Sequence, residues 1–402
     1  MTGANNKYPV VQFGLLAITA WLGFCDLAIT APAWYDSHWA YRQEVTVSGL
    51  GNSSTLADFP ALVQISDQAN PLFDRAQAGG LDVFFTDASG TRLDHEIEYY
   101  SSAGTKELDA WVRIPSLPSS GTTLYMYYAY PGADDQQNVN ATWDTNYKMV
   151  QHLQEDPSGT APQMIDSTIN PNNGTTGGSM TTTDQVAGKI DGSLDFDGSN
   201  DIINCGTDPG LNISDVITLE AWVNPTITGQ HGIISSSSSY GDGYHLYLRN
   251  AANAMAAFWF HDASDANTRV YITGNVQNDV WTYLAGVYDG TAMHIYINDQ
   301  HNSTISPTLY ANTVNFTGVS LGNIPWIASP RYYNGILDEV RISHTARNSD
   351  WITASFHNQG DPGAYLGFGP EVIVPEPSTV MLLALGGGYL ICHGWWRRRR
   401  PA

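Results

Sequence analysis

The amino-acid sequence predicts an all-β protein: two β-sandwich domains in tandem, followed by one C-terminal transmembrane helix. Three observations lead there. Between residues 34 and 368, short segments alternate polar and apolar side chains, and clusters of Gly, Asn, Asp and Pro separate them. Long runs with the 3.6-residue period of an amphipathic helix are missing over the same span. Near the end, Thr379 to Trp396 is a stretch of 18 residues without Asp, Glu, Lys or Arg. As a helix it would be about 27 Å long at ~1.5 Å per residue, close to the ~30 Å hydrocarbon core of a bilayer.

Residues 1–33 have the layout of a secretory signal peptide. Lys7 precedes an apolar run from Val10 to Phe24, and Ala31-Pro32-Ala33 offers a small-x-small cleavage site. Residues 34–145 read as a first β-rich domain. Gln43 to Val47 and Ala61 to Ile65 alternate, Leu81 to Phe85 runs into the turn cluster Asp87-Ala88-Ser89-Gly90, and Leu124 to Tyr130 is an aromatic strand ended by Pro131-Gly132. The polar segment Ala133 to Asn146 reads as the boundary.

Residues 146–368 read as the second domain. Met293, Ile295 and Ile297 give one apolar face, with His294, Tyr296 and Asn298 on the other. Asp289-Gly290 between two such runs signals a hairpin, and Asn298-Asp299 a weaker one. Residues 369–378 read as a linker that carries Pro375, Glu376 and Pro377, where two prolines hold the backbone extended and accessible. The expected membrane helix spans 379–396, with Trp395 and Trp396 at its interface end, and residues 397–402 bring four arginines that place that end in the cytoplasm.

Composition excludes several functions. Without Lys7 and the four arginines the 17 basic residues fall to 12; without Asp26 and Glu376 the 39 acidic ones fall to 37, leaving the body at −25. Such a surface repels phosphate backbones, so no nucleic-acid partner is expected. Cys25 and Cys392 belong to the two processed ends, so Cys205 is the body's single cysteine and reads as a small buried hydrophobe. Gly318-Val319-Ser320-Leu321-Gly322 has the spacing of a nucleophile elbow, but Pro325 blocks the helix that elbow needs, and Ser320 reads as a strand residue.

Three constellations remain as candidate sites. Asp94, Glu96 and Glu98 share one strand face, and Glu96/Glu98 would be the acid/base and nucleophile of a glycoside hydrolase if they faced a sugar. Asp195, Asp197, Asn200 and Asp201 form the densest set of hard oxygen ligands, suited to Ca2+, although the same residues also build self-bonded turns. Trp326, Arg331, Tyr332 and Tyr333 combine aromatic faces with a guanidinium, as sugar stacking requires, or else cap the end of the core.

Several motifs resemble known families. Trp39-x-Tyr41-Arg42, Asp58-Phe59-Pro60, His95-Glu96-Ile97-Glu98 and Ala110-Trp111-Val112 resemble an uncharacterised bacterial β-rich domain of exported proteins. Phe196-Asp197-Gly198, Glu220-x-Trp222 and Gly335-x-x-Asp338-Glu339-Val340-Arg341 together resemble the laminin-G-like, concanavalin A-like sandwich, which implies a jelly roll and surface binding of glycan or protein. That resemblance also implies a structural calcium held by the Asp197, Asn200, Asp201 loop together with Asp338. The tail resembles the PEP-CTERM sorting signal, which implies export through the Sec machinery, cutting by an exosortase near Glu376 and transfer to the cell surface or matrix of a Gram-negative bacterium.

The expectation is therefore a non-catalytic, exported surface or matrix protein that binds an extracellular polysaccharide or surface glycan, or protein, through residues 146–368. Its alternatives are a glycoside hydrolase using Glu96 and Glu98, and a structural matrix protein with no discrete ligand.

Overall fold

The computed structural model describes residues 33–237, 243–249, 255–261, 269–271, 276–306, 316–324 and 331–375. The expected signal peptide up to residue 32, the membrane helix 379–396 and the basic tail 397–402 lie outside the described residues, as do Trp326, Glu376 and Pro377. No helix among the described residues is long and apolar enough to cross a membrane. The chain is all-β, with 45% of residues in strands and 11% in helices.

The first segment supplies β1 (Tyr41–Val47), β2 (Leu56–Ile65), β3 (Phe84–Asp87), β4 (Arg92–Leu93), β5 (His95–Ser101), β6 (Glu107–Leu117) and β7 (Thr122–Tyr128). The second begins with β8 (Tyr147–Gln151), β9 (Thr175–Gly177), β10 (Gln185–Ala187), β11 (Gly192–Asp197), β12 (Ile202–Asn204), β13 (Ile217–Pro225) and β14 (His231–Ser235). It continues with β15 (Gly243–Arg249), β16 (Met255–His261), β17 (Arg269–Tyr271), β18 (Thr282–Tyr288), β19 (Met293–Ile297), β20 (Gln300–Ile305), β21 (Ser320–Leu321) and β22 (Asn334–Ser343). A helix, Ser349–Gly360, then leads through a short turn of helix to β23 (Leu366–Ile373).

Four sheets result. The first segment, with β23 added from the end of the chain, forms β23-β1-β7-β3-β4 and β2-β6-β5; the second forms β10-β11-β22-β13-β18-β19-β20, joined by β8 on β22, and β17-β16-β15-β14-β21-β12-β9. The hairpins read from sequence are present. Gly290 (φ 92°) turns β18 into β19, and Asn298 (φ 58°) turns β19 into β20. Met293, Ile295 and Ile297 point into the core between the two large sheets, with Leu219, Ala221, Val223, Leu337, Val340 and Ile342. Cys205 lies in that core, and Ser320 sits in β21 with its hydroxyl bonded to Asn323.

Two differences from the sequence reading matter for function. Tyr147, Val150, Trp222, Tyr283, Val287 and Tyr296, from the other face of the β8-β22-β13-β18-β19 layer, share one apolar core with Val45, Phe59, Trp111 and Met126 of the first segment. From Trp34 on, the described chain is one compact unit, because that aromatic face is covered. The supposed boundary contributes to the cover, with Trp143 buried between the segments. The expected linker also differs: residues 369–373 are the end of β23, which pairs antiparallel with β1 and places Ile373 opposite Tyr41.

The helix Ser349–Gly360 was hidden in the sequence. Its inward face is Trp351, Ile352, Ala354, Ser355, Asn358 and Gln359, which has helical spacing but is half polar, so no apolar stripe announces it. Those polar groups are spent on docking. Asn358 Oδ1 accepts the Leu62 N–H at 2.6 Å and its Nδ2 donates to the Leu62 carbonyl at 3.0 Å, while Gln359 Oε1 accepts Trp222 Nε1–H at 2.7 Å. Asn348 caps the helix through the Trp351 N–H.

Candidate functional site

Two features stand out, and the second lies where the segments meet. The first is an open cleft of about 380 Å³, lined on one side by Lys189, Trp222, Trp281 and Asn298 and on the other by Phe356, His357, Asp361 and Tyr365. Of its rings, Trp281, Phe356 and Tyr365 are half-buried, whereas Trp222 is buried. The Trp222 and Phe356 rings stack at 5.8 Å, and the His357 and Tyr365 rings at 5.3 Å. Lys189 Nζ lies 5.1 Å from the Trp222 centroid and donates to the Gly360 carbonyl, and burial lowers its pKa. The imidazole of His357 is fixed by the Leu50 carbonyl at 2.9 Å and lies 3.5 Å from Asp299. Apolar ring faces beside a few anchored polar groups are what a sugar ring needs: stacking for its C–H face and partners for its hydroxyls.

The second feature is a buried cluster, and strand irregularities build it. On β5, Ile97 faces Ala110 and Tyr99 faces Asp109, so Glu98 is the extra residue of a bulge. On β22, Asp338 faces Trp222 and Arg341 faces Glu220, leaving Glu339 and Val340 opposite the single residue Ala221. Glu339 takes φ 51° there, which turns its side chain away from the core that Leu337 and Val340 enter. Both bulges aim at His152, just past β8. His152 Nδ1 lies 2.5 Å from Glu339 Oε1 and 3.3 Å from Glu98 Oε2, and its Nε2 lies 3.4 Å from Glu96 Oε2.

Other groups fix these carboxylates. Glu96 accepts from Trp143 Nε1–H at 2.7 Å and Ser167 Oγ–H at 2.7 Å, and Glu98 from Trp111 Nε1–H at 2.6 Å. Arg341 donates to Glu339 and lies over Trp111 at 4.3 Å and Trp143 at 4.8 Å. Burial alone would lower the pKa of His152, but Glu339, Glu98 and Glu96 hold it well above the usual value. Burial raises Glu98 and Asp338, whereas for Glu339 the charges of His152 and Arg341 outweigh burial and lower it.

The sequence-predicted site residues are dispersed. Glu96 and Glu98 are each 7% exposed and hydrogen-bonded between the segments, so as a glycosidase pair they face tryptophan and histidine, not a groove. Asp94 bonds Asn138 instead. Asp197 Oδ1 accepts the N–H groups of Ser199 and Asn200, and Asp201 accepts those of Asp197 and Ser179, which is a self-bonded turn. Asp338 is not beside them. Asp197 pairs with Asn334, four residues away along β22 or about 13 Å at ~3.3 Å per residue, and Asp338 accepts the N–H groups of Lys189 and Ile190. The expected four-residue calcium set is therefore not assembled.

In the aromatic loop, Tyr333 is a core residue, fully buried, edge-on to Phe196 and bonded to the Ile336 carbonyl. Arg331 and Tyr332 are half-buried, and the Tyr332 carbonyl accepts from His231. Pro375 is exposed directly after β23.

Sequence reasoning missed the cleft. Trp281, Phe356 and Tyr365 come from separate elements that nothing in the sequence pairs. It also missed His152, Glu339 and Arg341 as a cluster. One signal was present: Glu339 and Arg341 interrupt the apolar run Ile336 to Ile342, which marks charges buried inside a strand.

Comparison with known protein families assigns three segments. Residues 197–353 match the concanavalin A-like lectin/glucanases superfamily. The second segment carries a concanavalin A-like domain. Residues 79–160 match a domain of unknown function, and residues 374–400 the PEP-CTERM protein-sorting motif, which marks an exported cell-envelope protein. Glu96, Glu98 and His152 lie inside the domain of unknown function, and Glu339 and Arg341 inside the concanavalin A-like domain, so the cluster is shared between them.

No curated protein is significantly similar to the chain. Among solved structures, similar folds include the binding domain of botulinum neurotoxin DC in complex with SialylT, at 13% identity and TM-score 0.38, covering 55% of this chain and 52% of that one. The chain thus spans about half the length of that neurotoxin domain. Domain 4 of AbnA, an extracellular arabinanase of Geobacillus stearothermophilus in complex with arabinotriose, is 19% identical with TM-score 0.39, covering 52% of this chain and 97% of that one. The CBM40 of Ruminococcus gnavus IT-sialidase, bound to α2,3 sialyllactose, is 15% identical with TM-score 0.35, covering 41% and 95%.

Proposed function

We propose that this chain is an exosortase-processed surface protein that binds a polysaccharide without cleaving it, through the cleft between the concanavalin A-like domain and the Ser349–Gly360 helix. The observation that carries the reading is the cleft itself, where the half-buried rings of Trp281, Phe356 and Tyr365 stand beside Lys189, His357 and Asp361. Its volume falls within the ~300–1,000 Å³ of small-ligand sites. A net charge of −25 over residues 34–375 disfavours acidic polymers, so the ligand is a neutral polysaccharide. Export through the Sec machinery delivers the chain to the inner membrane of a Gram-negative bacterium. The exosortase then releases it near Glu376 toward the surface or matrix.

The binding test is retention of the purified chain on a panel of insoluble neutral polysaccharides, with release of reducing ends measured alongside. Retention without release, lost in Trp281→Ala, is the expected result. Release of reducing ends would make the chain an enzyme, and unchanged retention of Trp281→Ala would move the site elsewhere. For sorting, replacing Pro375 and Pro377 by alanine should leave full-length chain in the inner membrane. Processed surface protein from that variant would refute the exosortase reading.

A further inference from the structure

We propose that Glu98, His152 and Glu339 form a binding site for one divalent transition-metal ion of the zinc type, buried where the two segments meet. Among the described residues this is the one group of His, Cys, Asp and Glu whose ligand atoms gather within 4.8 Å of one another, and all three residues are buried.

The spacing fits an ion. With metal–ligand bonds of ~2.0–2.2 Å, neighbouring ligand atoms sit roughly 3 to 3.5 Å apart. Glu98 Oε2 is already 3.3 Å from His152 Nδ1, and Glu339 Oε1, at 2.5 Å, needs to withdraw by less than an ångström. The outer groups are those that metal ligands require. Glu96 faces the second ring nitrogen of His152 and is itself fixed by Trp143 and Ser167; Arg341 holds the other oxygen of Glu339. Nδ1 is bonded to Glu339 Oε1 and Nε2 lies 3.4 Å from Glu96 Oε2, so an ion would replace the Nδ1–Glu339 hydrogen bond and leave Nε2–H facing a carboxylate.

Two independent observations point to a ligand. Glu98 has a side chain with no solvent exposure, and its Oε1 is buried without a hydrogen-bond partner. Both carboxylates are also delivered by bulges on different sheets, one of them at positive φ, to a common point. Packing gains nothing from that convergence, because the flanking Val340 and Ile342 already fill the core.

Charge and chemistry name the ion. Glu96, Glu98 and Glu339 lie against His152 with Asp338 nearby, and Arg341 bonds Glu339 among them. One imidazole with carboxylates suits zinc or its first-row neighbours, whereas calcium takes six to eight oxygens. A site this enclosed loads as the chain folds, so the ion would fasten β5 of one segment to β22 of the other.

The test unfolds the full-length chain in denaturant with chelator and refolds it with ZnCl2, with CaCl2 or with chelator alone. Gel filtration follows, then metal counting by mass spectrometry. About one zinc per chain is expected, with a higher Tm than the chelator sample, and Glu98→Gln should drop the count to near zero. Should Glu98→Gln fail to fold, Co2+ in the wild-type chain provides a second readout: a visible d–d absorption that zinc abolishes. Natively folded chain with no zinc and no cobalt band would overturn the proposal and leave His152 a buried imidazolium. Equal zinc in Glu98→Gln would place the ion elsewhere, and calcium binding in preference to zinc would refute the class.

Discussion

Replacing Asn358 tests how the helix Ser349–Gly360 holds the two segments together. β2 is the outer strand of its three-stranded sheet, so the outward N–H and carbonyl of Leu62 need a partner that no strand supplies. Asn358 supplies both, and both residues are fully buried. Asn358→Ala strands a buried donor and a buried acceptor, each costing ~1–3 kcal/mol. The expected loss is about 3 kcal/mol, read as a shift in the urea midpoint at unchanged slope. Asn358→Asp sharpens the test. Its carboxylate still accepts from Leu62 N–H but sets an acceptor against the Leu62 carbonyl, so burial and repulsion raise its folded pKa. A group with a raised folded pKa stabilises below its unfolded value near ~4 and loses that contribution as pH rises. The variant should thus be near wild type at pH 4 and most impaired at pH 8. A loss under about 0.5 kcal/mol in Asn358→Ala, or a pH-independent deficit in Asn358→Asp, would refute the pairing argument.

Three more outcomes are expected. Asp109, buried with one bond from Gln64, has its pKa raised by burial to about 7, so its protonated form is favoured on folding and stability declines as pH rises from about 4 to about 7. Asp109→Asn should remove that decline and gain up to ~4 kcal/mol at pH 8, measured by urea titration across pH. In the cleft, Trp281→Ala should weaken polysaccharide binding by about 1–3 kcal/mol in calorimetry while moving Tm little, because Trp281 is only half-buried. Because one core spans both segments, scanning calorimetry of the body should show a single transition; two separated peaks would mean independently folding domains.

The strands were legible because short apolar and aromatic runs lie between clusters of turn residues, and Asp289-Gly290 and Asn298-Asp299 marked two of the turns. The sequence also placed Tyr296 on the strand face opposite Met293, Ile295 and Ile297, but not whether solvent, ligand or another sheet met it. That answer depends on contacts between residues far apart in sequence, such as Asn358 with Leu62. The site suffered most. Glu96 and Glu98 were legible as a pair, yet the meaning of the pair changed once the Glu98 bulge and His152 faced each other across two sheets. Tyr333 looked like a ligand residue because it sits among turn residues, although its ring seals the core.

The pairing of β23 with β1 has a consequence for timing. A chain exported amino terminus first delivers β1 early, and one edge of β1 stays open until residues 366–373 have crossed. The Val374 N–H then bonds the Ala40 carbonyl at 2.7 Å, and Pro375 follows at once. The segment that completes the first sheet and the segment that carries the sorting motif therefore arrive together, one residue apart. A body that has not yet folded leaves Val374 and Pro375 on a loose strand, whereas a finished one holds them against a fixed edge. Under the proposed processing near Glu376, the cut would fall just beyond a strand end that is fixed only once β23 has paired with β1.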